Sequence, residues 1–179
     1  ISDLYLTFDK NCGPFKISAP QLEELTIYID NNDDPQCSFF DVGSVNTIDI
    51  SNLPNLRKIK LMHTTGYEII TSDTNKSVIQ LIVTDRRDDF EFIKCFQNLE
   101  QLTVTGSRCS DISFINYIKN IVDLDLSYNE INDISALVIT DKLKKINHYI
   151  YICVFIIFAY NAYFCGIRKI FHRIRYGFF

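Results

Sequence analysis

The sequence predicts an α/β solenoid over residues 1–146, a stack of coils that each hold one short strand and a helical or 3₁₀ return. Three observations carry the prediction. Apolar positions recur in blocks of 21 or 22 residues along most of that stretch. Inside each block a Leu-x-Leu alternation stops after three residues, too soon for a free-standing strand. A polar turn position and a second apolar run then follow in the same order. Such a unit cannot bury its apolar edge alone, so neighbouring units must stack.

The first coil carries Ile1, Leu4 and Leu6, and the second carries Leu22, Leu25 and Ile27 in "LEELTIYID". Between Leu22 and Leu56 the spacing lengthens to 34 residues, although "DISNLPNL" (Asp49–Leu56) keeps the return pattern. The excess is an insertion near 31–46, whose Asn, Asp and Pro predict an exposed loop. Regular coils resume at Leu56, Ile59 and Leu61, then Val78, Leu81 and Val83, then Leu99, Leu102 and Val104. The sixth strand holds Leu124 and Leu126 after Ile121. Leu143 and Ile146 begin a last coil, which breaks where His148 takes the next apolar slot. That makes about six to seven coils.

The return segments match as well. Asp111-Ile112-Ser113 falls under Asp133-Ile134-Ser135, Cys109 under Ile131, and Ile115 under Leu137. Ile112, Ile115 and Ile118 are spaced by threes, which predicts one buried edge of a 3₁₀ or helical turn.

The stretch Ile121–Leu137 reads LxxLxLxxNxIxDIxxL, which resembles the leucine-rich repeat, especially the short units of internalins and protein-phosphatase regulatory subunits. The resemblance covers about Ile1 to Ile146 and is most complete in that coil. It implies a curved stack with a parallel sheet on the concave side and a concave face that binds another protein. The motif's Asn turns the chain and bonds backbone groups of adjacent coils, a role that Asn129 fits. Asp9, Asp30, Thr64 and Ser107 stand as imperfect substitutes, and Arg86 departs from the motif. Uneven curvature and modest stability are therefore expected near Arg86.

The middle residues of each strand point outward and are the candidates for partner binding. Among them are Tyr28, then Arg57, Lys58, Lys60 and His63, then Ile82, Thr103 and Thr105, and finally Asp125 and Tyr128. Tyr28, Ile82 and Tyr128 are the expected anchors, because aromatic and apolar groups dominate contact energies.

Charge divides the chain. Residues 1–141 hold 22 acidic and 11 basic side chains, a balance of −11, whereas residues 142–179 hold 7 basic and none acidic. The acidic body repels phosphates and so argues against nucleic acid. No HExxH, no phosphate-binding glycine loop and no CxxC pair occurs, so neither an enzyme, a cofactor nor a metal is expected. The six cysteines predict free, mostly buried thiols in a reducing, cytoplasmic setting. The pattern Asn75-Lys76-Ser77 is a short glycosylation signature that arises often by chance.

Residues 147–179 form a second part. Tyr149–Gly166 is 18 residues without a charge, and a helix of that length would span roughly 27 Å. A basic amphipathic stretch follows, "IRKIFHRIRYGFF", suited to an anionic membrane surface. The segment is expected to be a hydrophobic helix that anchors in a membrane, caps the stack, or is the product of a misread frame. The chain begins at Ile1 rather than Met, which suggests a fragment or processed product. The functional expectation is a protein-interaction module. Its alternative is a non-catalytic fragment or subunit of a larger enzyme or receptor, with the C-terminal segment as membrane anchor.

Overall fold

The computed structural model describes residues 1–10, 13–30, 46–139 and 142–147. The chain runs β1 (Asp3–Asp9), β2 (Phe15–Ser18), β3 (Glu24–Asp30), β4 (Asn46–Asn52), β5 (Lys58–Met62) and β6 (Tyr67–Ile70). It continues with β7 (Gln80–Thr84), β8 (Gln101–Thr105), β9 (Asp123–Asp125) and β10 (Lys145–Asn147). Four 3₁₀ turns lie at Asp73–Ser77, Glu91–Cys95, Ser113–Tyr117 and Ser135–Ile139.

Seven strands form one parallel sheet in the order β1-β3-β5-β7-β8-β9-β10. Its register stacks like on like. Leu4, Leu25, Ile59, Leu81, Leu102, Leu124 and Ile146 make one column of partners. Leu6, Ile27, Leu61, Val83 and Val104 make a second. From Leu25 to Leu124 the first column is fully buried, so the periodic leucines do share a continuous core. Coil 1 is less covered, with Leu4, Leu6 and Phe8 only half-buried.

Each junction between coils repeats one device. The carbonyl just ahead of a strand accepts two successive N–H groups from the next coil. Ser2 serves Glu23 and Glu24, Glu23 serves Arg57 and Lys58, and Arg57 serves Ile79 and Gln80, at 2.8–3.1 Å. Ile79, Glu100 and Val122 do the same for the coils that follow, over the same range. Both lone pairs of the carbonyl are thereby used.

The returns correct the expectation of helical or 3₁₀ turns throughout. In the first three coils they are strands, and β2, β4 and β6 form a second parallel sheet in the order β2-β4-β6. The cause lies in the local pattern. Ile48 and Ile50 are buried and alternate with Thr47, Asp49 and Ser51, as do Tyr67 and Ile69 with Glu68 and Ile70, and this period of two suits a strand. Later returns bury every third residue instead: Phe90, Ile93, Phe96 and Leu99, then Ile112, Ile115, Ile118 and Ile121. Their N–H groups reach back three residues at 3.0–3.2 Å, the 3₁₀ pattern. The side chains of Asp111 and Asp133 start two of these turns by accepting the N–H of Ser113 and Ser135, both at 2.8 Å.

The insertion near 31–46 lies almost wholly outside the described residues, as does the segment expected to be helical at 149–166. Among the described residues no helix is long and apolar enough to cross a membrane.

Candidate interaction face

At the end of four consecutive strands the backbone turns through the left-handed region. His63 (φ 56°), Asp85 (φ 54°), Gly106 (φ 62°) and Tyr128 (φ 60°) occupy equivalent places. A side chain at Gly106 would also crowd Asp85, whose Oδ1 would lie 3.0 Å from a Cβ. The turn throws the next residue inward, and Thr64, Arg86, Ser107 and Asn129 are accordingly buried polar groups.

These four hand hydrogen bonds from coil to coil. Asn129 Oδ1 accepts the N–H of Ser107 and of Cys109, each at 3.1 Å, and its Nδ2 donates to the carbonyls of Val104 and Leu126 at 2.6 and 3.0 Å. Ser107 Oγ accepts the Arg86 N–H at 3.2 Å. The Arg86 guanidinium donates to the carbonyls of Thr64, Tyr67 and Asp89 at 2.8, 3.0 and 3.1 Å. Burial pulls its pKa down while Asp88 and Asp89 pull it up, and the group stays charged at neutral pH. The departure from the motif at Arg86 is thus a substitute with more donors than Asn. Asp9 and Asp30 are register partners inside β1 and β3, and neither follows a left-handed turn.

The outward face of the long sheet carries three rows. One runs Asp3, Glu24, Lys58, Gln80, Gln101, Asp123, Lys145; the next runs Tyr5, Thr26, Lys60, Ile82, Thr103, Asp125, Asn147. The third runs Thr7, Tyr28, Met62, Thr84, Thr105. Salt bridges join Glu24 to Lys58 and Asp123 to Lys145, each at 3.2 Å, and Asn147 donates to Asp125 at 3.1 Å. Asp125 also accepts the N–H and hydroxyl of Ser127 at 2.9 and 2.6 Å. At the edge of the face the Tyr28 ring meets His63 edge-on with centroids 5.2 Å apart, and His63 Nε2 lies 3.8 Å from Asp85. No cluster of metal-ligating side chains is present among the described residues.

No family model matches the chain, and no curated protein matches it in sequence. Among solved structures it is similar to an internalin, InlF, of Listeria monocytogenes, with a TM-score of 0.44 and 19% identity. That match covers 83% of this chain and 48% of the internalin, so the chain spans about half its length. Internalin C2 of the same organism gives a TM-score of 0.46 at 17% identity, with 78% of each chain covered. The chain's own repeat carries the assignment: a parallel strand, a left-handed turn and an inward ladder residue in successive coils. The fold is a leucine-rich-repeat solenoid.

Within the solenoid the sequence-selected residues fall into two groups. Tyr28, Lys58, Lys60, Ile82, Thr103, Thr105 and Asp125 share the rows of the outward face, and Arg57 stands exposed at the entry to β5. His63 and Tyr128 belong to the left-handed turns at the sheet's rim instead, with Tyr128 66% exposed. The place given to His63 on the face belongs to Met62, and the kink that displaces it leaves no mark in spacing alone. Tyr5, 64% exposed, shares the row of Lys60 and Ile82; the alternation Leu4-Tyr5-Leu6 could have shown it. The Asn75 of the glycosylation signature is fully buried and bonded to Ser72 N and the Ile50 carbonyl, so it is no acceptor in the folded chain.

Proposed function

We propose that the solenoid is a protein-interaction module that receives a partner on the outward face of its long sheet, without a cofactor. One observation carries the reading. The strands satisfy each other's backbone groups, while the face holds Tyr28, Met62 and Ile82, only partly covered. The Glu24–Lys58 pair stands at the start of the same strands β3 and β5, and the Asp123–Lys145 pair lies farther along the sheet. Apolar anchors ringed by polar groups are the arrangement that binds proteins. The free thiols Cys95 and Cys109 support a reducing, cytoplasmic setting.

The half-buried Leu4, Leu6 and Phe8 of coil 1 favour a second reading, in which the module works as a non-catalytic subunit of a larger assembly. A pull-down from a source extract tests the first reading. Lys60→Ala and Ile82→Ala, both on the outward face, are expected to fold normally and capture less partner. Undiminished capture by both would remove the face from consideration.

A further inference from the structure

The rows of the long sheet are unequally compensated. Lys58 is held by Glu24, Lys145 by Asp123, and Asp125 by Ser127 and Asn147. Lys60, in the middle of β5, has no hydrogen-bond or ion-pair partner among the described residues. Its register neighbours are Thr26 on β3 and Ile82 on β7, and Met62 follows it on the same face. Tyr28 pairs with Met62, so the ammonium rises from a patch of apolar and hydroxyl side chains.

Resting on the docking reading above, we infer that the partner is a protein segment that sets an Asp or Glu carboxylate on Lys60 beside an apolar side chain on Ile82 and Met62. The reason is desolvation. A partner covering this patch strips water from the Lys60 ammonium, and an unpaired buried cation opposes binding strongly. Among the described residues no carboxylate pairs with Lys60, and Glu24 is already engaged by Lys58, so the countercharge falls to the partner. A basic or uncharged segment would lose on Lys60 what it gained on Ile82 and Met62. The inferred recognition element is therefore one carboxylate with an aliphatic or aromatic neighbour, not a long acidic tract.

A phage-displayed library of random 12-residue peptides, selected on the whole chain, tests this. Enriched peptides are expected to pair an acidic residue with an apolar one. Their affinity should fall about tenfold in Lys60→Glu and on Glu→Gln exchange in the peptide, and a Lys-bearing peptide should recover binding to Lys60→Glu. Ile82→Arg and Thr103→Arg, both outward-facing and checked for parental melting, should abolish it. Peptides lost with either Arg variant yet indifferent to Lys60→Glu would overturn the carboxylate inference and leave the docking face standing. Peptides indifferent to all three variants, or no enrichment at all, would overturn the docking face itself and this inference with it.

Discussion

Arg86 Nη1 donates to the carbonyl of Thr64, one full coil earlier, at 2.8 Å. This bond joins the last coil with a stranded return to the first with a 3₁₀ return on both sides of its strand. The same guanidinium reaches Tyr67 at the head of β6 and stacks 5.2 Å over the Phe92 ring. A single buried cation therefore holds the seam where the architecture changes.

Arg86→Ala is expected to lower stability by about 3 kcal/mol, because buried carbonyls of Thr64 and Tyr67 lose their donor. Urea unfolding reads the change. Arg86→Lys should restore only part of the loss, since an ammonium cannot copy the planar fork. An unaltered midpoint in Arg86→Ala would mean that the seam does not depend on it.

The two asparagine ladders should differ sharply. Asn129→Ala leaves the N–H groups of Ser107 and Cys109 and the Val104 carbonyl unmet in the core, a loss of about 2–4 kcal/mol. Asn120 sits in a second ladder on the surface, donating to Asn98 at 3.5 Å and accepting from Lys142 at 2.6 Å. Its Ala variant is expected to move stability by no more than about 0.5 kcal/mol. Paired thermal melts decide it, and similar losses for both would contradict the burial-based ranking.

The cysteines should separate by reactivity. Burial pushes the Cys109 thiol up to about 12, while Cys95 is exposed. At pH 8 a disulfide-exchange reagent is expected to label Cys95 quickly and Cys109 only after unfolding, as resolved by peptide mass spectrometry. Rapid labelling of Cys109 in the native chain would show that its coil opens.

The strand positions were legible because a parallel stack repeats side chains at fixed intervals. Leu102 and Leu124 had to be neighbours once both lay at the same point of a 22-residue unit, and they are register partners. The returns were less legible. Asp49-Ile50-Ser51, Asp111-Ile112-Ser113 and Asp133-Ile134-Ser135 are the same triplet, and in each the Asp side chain accepts the Ser N–H. Yet the first lies in β4 and the others enter 3₁₀ turns. What differs is the neighbour: β4 stacks on β2 and β6, whereas the later turns stack on one another, and a triplet cannot report that.

The face was readable in part for a related reason. Alternation locates outward residues only while the chain stays extended, so Lys58, Lys60 and Ile82 were placed and His63 was not. The bonds of Arg86 were not legible because the motif names a residue, while the fold needs only donors aimed at carbonyls. The surface ladder through Asn55, Ser77, Asn98 and Asn120 did leave a trace, a polar residue directly before the buried Leu56, Val78, Leu99 and Ile121. Each reaches the preceding coil or its counterpart there.

The doubly accepting carbonyl at every junction gives the molecule a modular length. Glu100 serves Val122 and Asp123, and Ile79 serves Glu100 and Gln101, so the contact at the strand entry is the same in successive windings even where the inward ladder residue differs. Among the later windings, whose returns are all 3₁₀ turns, a whole unit excised or duplicated at such a point leaves strand entries that match. Growth and shortening by entire units are therefore open to this chain, whereas gain or loss of a single amino acid inside a strand would misalign every side chain beyond it.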